Sequence, residues 1–148
     1  MKAVEVKGAL ELGKRLAAHK APGRTKIRDA ADVAAQLMVQ FKEYETERFV
    51  VLLLNTKNEV MKTIEVSRGG LAGTHAAPAD VFRQAVREGA GAVIVAHNHP
   101  SGDPEPSSTD LELTLHLKEA GNILGIRVLD HVIFGDGRYI SLKARQVL

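Results

Sequence analysis

The chain has no cysteine, no tryptophan, few aromatics and no long apolar run. Without cysteine, disulfides, thiolate metal sites and a Cys nucleophile are all excluded. A transition metal in this protein must therefore be held by imidazole and carboxylate. Aromatic residues make up 4% of the chain, which leaves little for nucleic-acid bases to stack on. The longest apolar runs, VVLLL and AVIVA, are far too short to cross a bilayer. The N-terminal stretch MKAVEVKGALELGKR is charged throughout and lacks the apolar core of a signal peptide. A cytoplasmic protein with no membrane partner is the expectation. Internal repeats and low-complexity tracts are also missing.

What is present reads as a folded domain. At 148 residues, 45% hydrophobic and 26% charged, the chain is long enough to bury a real core and too apolar to be disordered. The net charge of +2 is mild but uneven, since Lys14, Arg15, Lys20, Arg24, Lys26 and Arg28 crowd around Ala21-Pro22-Gly23. Such a cluster is either a weak nucleic-acid contact or, as charge runs more often are, a solvated linker between helices.

Hydrophobic periodicity sets the order of elements. Residues 3 to 19 follow a helical stripe that Ala21-Pro22-Gly23 breaks, and a second helix starts at Asp29 as N-cap and runs through AADVAAQLMVQFKEYE. FVVLLLN, 49 to 55, is a continuous branched run, as expected of a strand buried on both faces. TKNE turns it into VMKTIEVS, which alternates as a partner strand. A glycine-rich loop from Arg68 to Ala77 leads to a helix opened by Pro78 and closed by Gly89. GAVIVAH is another strand buried on both sides. DLELTLHLKEAGNILG fits both periods, but its length, serine start and closing glycines favour a helix. IRVLDHVIF and RYISL form a hairpin across GDG. The pattern αα–ββ–α–β–α–ββ predicts an α/β fold, a mixed β-sheet flanked by helices.

The chemistry concentrates in AVIVAHNHPSGDPEPSSTD, residues 92 to 110. His97 and His99, at i and i+2 of a strand, project from one face about 6–7 Å apart at Cα, where the strand runs out into a loop. Two imidazoles so placed are able to share a metal, although a hydrogen-bonded structural histidine is the commoner role for any one of them. Asp110 has two explanations. Ser107-Ser108-Thr109-Asp110 reads as a capping box, and one carboxylate cannot fully serve both a cap and a metal. Yet a helix start holds an acid rigidly, as a ligand requires. Two histidines and one carboxylate leave a fourth zinc position for water, the pattern of a hydrolytic site.

His97-Asn98-His99-Pro100, six residues, then Ser107-Ser108-Thr109-Asp110 resembles the JAMM motif of MPN+ metalloproteases. AHNHPSG, EPSSTD and LDHVIFG are similar to the bacterial RadC branch of that family, over roughly residues 30 to 148. The resemblance implies an MPN (JAMM, cytidine-deaminase-like) architecture for residues 29–148. It also implies that 1–28, a helix and basic linker, corresponds to the end of a helix-hairpin-helix region, so that the chain reads as a fragment. By resemblance His97, His99 and Asp110 match the zinc ligands, and Ser107 matches the serine that steadies the oxyanion of a tetrahedral intermediate. The family's general acid/base is a glutamate ahead of an apolar strand. Glu47 stands in that place, while Glu45 and Glu65 are the nearby alternatives. Zn²⁺ and an unknown peptide or protein substrate, cleaved at an amide or isopeptide bond, follow from the same likeness. RadC proteins carry a DNA-repair name.

Other histidine-rich hydrolases fit less well. A metallo-β-lactamase motif needs an Asp and a further His where Pro100 to Gly102 stand, and an HNH nuclease does not place its three residues contiguously. His131 lies in an apolar strand and reads as a satisfied core histidine. His19, His75 and His116 carry no spacing signal. Two functions remain: a zinc-dependent peptidase, favoured by the complete motif, and a non-catalytic interaction or DNA-associated module, favoured by the basic stretch from Lys14 to Arg28.

Overall fold

The computed structural model describes residues 2–18, 23–68 and 76–148. Lys20, Ala21 and Pro22 of the basic segment, His19, His75 and most of the glycine-rich loop lie outside the described residues. Nine elements follow in chain order: α1 (Lys2–Ala18), α2 (Ala30–Lys42), β1 (Arg48–Leu54), β2 (Val60–Arg68), α3 (Pro78–Glu88), β3 (Ala92–Asn98), α4 (Ser108–Leu124), β4 (Arg127–Gly135) and β5 (Arg138–Ser141). This is the expected order, and the α/β class holds.

The strands form one sheet in the order β2-β1-β3-β4-β5. β3 and β4 run parallel, joined through α4, and the other neighbours are antiparallel. Side chains alternate across each strand, so the sheet has two apolar faces and each needs a cover. Val50, Leu52 and Leu54 of β1 pack with Ile94, Ala96 and Phe134 against Val33, Leu37 and Phe41 of α2. Phe49, Val51 and Leu53 pack with Val93 and Val95 against Val81 and Phe82 of α3 and Leu117 of α4. Every residue of β3 is buried, and so are the last six of β1. The reading of both runs as strands buried on two faces holds.

One boundary differs from expectation. α2 stops at Lys42 rather than running through the KEYE stretch, with Glu43 as its C-cap. The chain leaves the helix there because Tyr44 turns back, its ring edge-on to Phe41 at 5.8 Å and beneath the Arg48 guanidinium at 4.4 Å. α4 is a helix throughout, ending at Gly125 in the left-handed region (φ 71°). Its leucines at 111, 113, 115 and 117 alternate only by coincidence.

Two glycines earn their place near the site. Gly137, with Asp136, takes positive φ in the tight turn between β4 and β5. A Cβ at Gly135 would meet the Gly102 carbonyl oxygen at 2.7 Å, so only glycine lets the loop after β3 lie on the end of β4. α1 shows Val4, Leu10 and Leu16 at 75%, 61% and 66% exposure, so its apolar stripe is not part of either core. Among the described residues no helix is long and apolar enough to cross a membrane.

Candidate metal centre

β3 ends at Asn98, but its hydrogen bonding continues one residue further, where His99 N donates to Phe134 O at 2.8 Å. The strand geometry therefore holds through both histidines, and they share the α3/α4 face as their spacing requires. Four side chains converge above that face. His97 Nε2 lies 3.0 Å from His99 Nε2 and 3.2 Å from Asp110 Oδ1. His99 Nε2 lies 3.1 Å from Asp110 Oδ2, and Glu47 Oε1 lies 3.6 Å from His97 Nε2. One donor atom from each of Glu47, His97, His99 and Asp110 falls within 4.8 Å of the others. The site is graded in depth, with side-chain exposures of 1% for His97, 13% for Asp110, 18% for His99 and 27% for Glu47.

The donor set fits a tetrahedral cation. Ligand atoms on an ion with bonds of ~2.0–2.1 Å stand about 3.3 Å apart, and the gaps of 3.0 and 3.2 Å at His97 Nε2 approach that value. Each imidazole is also anchored through its other nitrogen. His99 Nδ1–H donates to the Asp103 carbonyl at 2.8 Å, which leaves Nε2 facing the cluster. His97 Nδ1 meets His131 Nε2 at 2.8 Å, and the Phe49 ring stacks on His97 at 5.7 Å between centroids.

Asp110 belongs to the helix cap and to the cluster at once. Ser107 Oγ accepts from Asp110 N at 3.1 Å, and Asp110 Oδ2 accepts from Ser107 N at 2.9 Å, a complete capping box. The cap fixes the carboxylate through Oδ2, and Oδ1 is turned to His97. Burial opposes ionisation of Asp110, yet the hydrogen bonds from His97 and His99 outweigh it and hold the carboxyl well below the usual carboxylate range. Reciprocally, the Asp110 carboxylate raises His99 above its ordinary 6.5, against partial burial.

Glu47 is positioned by a residue whose role the sequence does not announce. Asn98, 4% exposed, accepts from Arg48 N at 2.8 Å and donates to Thr46 O at 3.1 Å. Its amide thus grips the backbone on both sides of Glu47. Of the alternatives, Glu45 is exposed and Glu65 faces Arg48, with Nη1 to Oε1 at 3.2 Å. Neither belongs to the four-residue cluster.

Ser107 stands at the cap, beside the cluster rather than in it. His131 is buried and hydrogen-bonded, as read from its apolar strand, and its partners are His97 and Thr114 of α4. Burial lowers its pKa well below 6.5, with His97 adding to the effect. Asp130 secures the backbone there: its carboxylate accepts from His131 N at 2.7 Å, Lys143 N at 3.1 Å and the Ser141 hydroxyl at 2.6 Å. Burial raises the Asp130 pKa, and these bonds oppose the rise. A signal for Thr114 was available in its i+4 spacing from Asp110; none existed for Asn98 or for the pairing of His131.

A narrow cleft of about 200 Å³, lined by Glu47, Phe49, His97, Asp110, Leu113 and His116, opens onto the cluster. A wider hollow of about 1020 Å³ lies beyond His99, between Lys42, Tyr44, Asn98 and Arg138. The narrow cleft is lined by Glu47, His97 and Asp110, and His99 lines the wider hollow. The cations Lys14, Arg15, Arg24, Lys26 and Arg28 are all exposed, and Arg15 pairs with Glu11 at 3.2 Å.

Comparison with known proteins follows the same lines. The model of the RadC-like JAB domain matches residues 27–147. A "UPF0758 protein" of Moorella thermoacetica is 52% identical over 147 residues, 99% of this chain and 64% of the relative. Proteins of the same name from Desulforamulus reducens and Staphylococcus haemolyticus are 47% and 48% identical, covering 100% and 95% of this chain. The chain spans about 64% of the length of the Moorella relative.

Proposed function

Because the chain belongs to the RadC-like JAB domain family, we propose that it is a zinc-dependent hydrolase of JAMM type that cleaves an amide or isopeptide bond in a peptide or protein. The observation that carries this reading is the convergence of Glu47 with His97, His99 and Asp110 within 4.8 Å, beside a cleft that Glu47, His97 and Asp110 line. A purely structural cluster has no need of a second, partly exposed carboxylate beside two imidazoles whose far nitrogens are already engaged.

His97 Nε2, His99 Nε2 and Asp110 Oδ1 would hold the ion. Zinc bound there supplies acidification of water and polarisation of a carbonyl. The chain's own residues do the rest. Glu47 Oε1 takes a proton from the attacking water and returns it to the leaving amine, which requires a carboxylate near His97 but not bonded to the ion. The Ser107 hydroxyl accepts from Asp110 N and keeps its own hydrogen, which it donates to the oxyanion as charge develops there. Phe49 and Leu113 wall the cleft and thin the water around these charges.

Metal analysis tests the reading directly. Protein purified without chelator is expected to carry about one zinc per chain, and the double variant His97→Ala/His99→Ala to carry none. Zinc at full stoichiometry in the double variant would refute the ligand assignment. The apo protein is expected to remain folded, because the two apolar cores do not depend on the ion, unlike a zinc finger.

A second reading, a DNA-associated module without turnover, draws on the exposed cations Lys14, Arg15, Arg24, Lys26 and Arg28. Its mark would be DNA binding that weakens steeply with salt and disappears on deletion of residues 1 to 28.

A further inference from the structure

Beneath the donor cluster lies a chain of buried polar groups that the proposed hydrolysis does not use. His97 Nδ1 is 2.8 Å from His131 Nε2, and His131 Nδ1 is 2.6 Å from Thr114 Oγ1. Thr114 Oγ1 is 2.6 Å from the backbone oxygen of Asp110. His97, His131 and Thr114 each show 0% exposure. Water does not satisfy these groups, so they must satisfy one another.

The direction of the chain is fixed from its far end. A carbonyl oxygen only accepts, and a threonine hydroxyl carries one hydrogen, so Thr114 donates to Asp110 O. Were that hydrogen aimed at His131 instead, two oxygen atoms would face each other at 2.6 Å with no proton between them. Thr114 Oγ1 therefore accepts from His131 Nδ1–H. An imidazole that is neutral and protonated at Nδ1 has a bare Nε2, and that atom accepts from His97 Nδ1–H. His97 is left with Nε2 directed at His99, Asp110 and Glu47.

His99 obtains the same result more simply, from the Asp103 carbonyl in the loop after β3. That solution is closed to His97. It sits inside β3, paired with Phe49 of β1 on one side and Ile133 of β4 on the other, where backbone carbonyls are occupied by the sheet ladder. An acceptor has to come from a side chain on the same face of the neighbouring strand. His131 occupies such a position on β4, and α4 supplies Thr114 above it.

We propose that His131, with Thr114 behind it, is the positioning pair that fixes the tautomer and ring orientation of the ligand His97, and that it ties this ligand to the helix carrying Asp110. The proposal rests on the reading of His97 as a metal ligand. It assigns His131 a task that a leucine or phenylalanine of similar volume would not perform. Outer partners of ligating histidines typically contribute 10–100-fold to metal affinity.

The test combines nitrogen NMR of the imidazoles with zinc affinity measured by chelator competition, in the wild type and in His131→Leu, His131→Gln and Thr114→Val. In zinc-free wild type, Nδ1 of both His97 and His131 is expected to carry a proton, with Nε2 of His131 bare. His131→Leu should weaken zinc by roughly 10–100-fold. His131→Gln, whose amide oxygen still accepts, should recover part of the loss, and a merely space-filling role would not show that rescue. Thr114→Val, nearly isosteric, should weaken zinc and remove the fixed Nδ1 proton of His131. A bare Nδ1 at His97 in the wild type overturns the proposal, as does zinc affinity within twofold of wild type in a folded His131→Leu. Should that variant not fold, unchanged affinity in Thr114→Val overturns it equally. A wild type that binds no zinc defeats the hydrolase reading instead, and the NMR result on the zinc-free protein then decides the hydrogen-bond chain by itself.

Discussion

His97, His99 and Asp110 hang from the end of β3 and the first turn of α4, whereas Glu47 stands opposite them on the turn that leads into β1. In the first group His99 and Asp110 are held by local hydrogen bonds, to the Asp103 carbonyl four residues on and within the capping box, while His97 is held by the strand ladder and by His131 of the neighbouring strand. Glu47 is held from a distance, by an amide fifty positions away in the chain. The two sides differ in depth as well, since His97 is 1% exposed and Glu47 is 27% exposed. A metal ligand must be rigid and dry, and a proton carrier must reach both water and substrate. The difference in depth suits the proposed division of labour.

The largest effect that would separate the two sides is on turnover without metal loss. Glu47→Gln is expected to keep zinc content and melting temperature near wild type and to lower hydrolysis of a suitable peptide substrate by ~10²–10⁴-fold, the usual scale for general acid/base help. Equal loss of zinc and activity would place Glu47 among the ligands and erase the distinction.

Asn98→Leu attacks the anchoring alone. It leaves the Thr46 carbonyl and the Arg48 N–H without their partner, a cost of roughly 1–3 kcal/mol in thermal or denaturant unfolding. It lets Glu47 drift, for which a loss of up to ~10² in rate is expected. Zinc affinity should stay within a few-fold. If it collapses instead, the two sides are mechanically one unit.

Acid should act on the ligand side first. His99 is held above 6.5 by the Asp110 carboxylate, and a protonated imidazole must lose its proton before it can bind metal. Zinc affinity is therefore full above the raised value and falls by about tenfold per pH unit once the pH drops below it. Chelator competition between pH 8 and 5.5 measures this; a flat profile would show that His99 is not titrating at the site.

The smallest effect belongs to Glu65. Its pair with Arg48 is partly exposed, at 24% and 27%, and Glu65→Gln is expected to cost ~1 kcal/mol or less, with activity retained. An inactive Glu65→Gln beside an active Glu47→Gln would move the base to β2.

Most of the fold was legible in the chain because its strands are unusually plain. Continuous branched runs at 49–55 and 92–98 admit no exposed face, and a sheet with two apolar faces must be covered by helices on both. The end of α2 was not legible, because KEYE continues a good helical pattern. Only the packing of Tyr44 on Phe41 and under Arg48 stops it. The ligand side of the site was legible for a related reason: strand alternation and a helix cap are short-range rules, and His97, His99, Ser107 and Asp110 obey them within fourteen residues of sequence.

By itself, then, the sequence determined that a metal here would rest on imidazole and carboxylate, that the two histidines share a face, and that an acid is fixed at the start of α4. Tertiary structure alone decided which glutamate joins them, since Glu45, Glu47 and Glu65 differ only in where β1, β2 and Asn98 carry them. It also decided that His131, in the apolar core beside Phe49, bonds to His97. That contact depends on the parallel register of β3 and β4, in which Val95 faces His131 and His97 faces Ile133. No local pattern in either strand specifies that register; it is set by the crossover through α4 and by the apolar packing on both faces of the sheet.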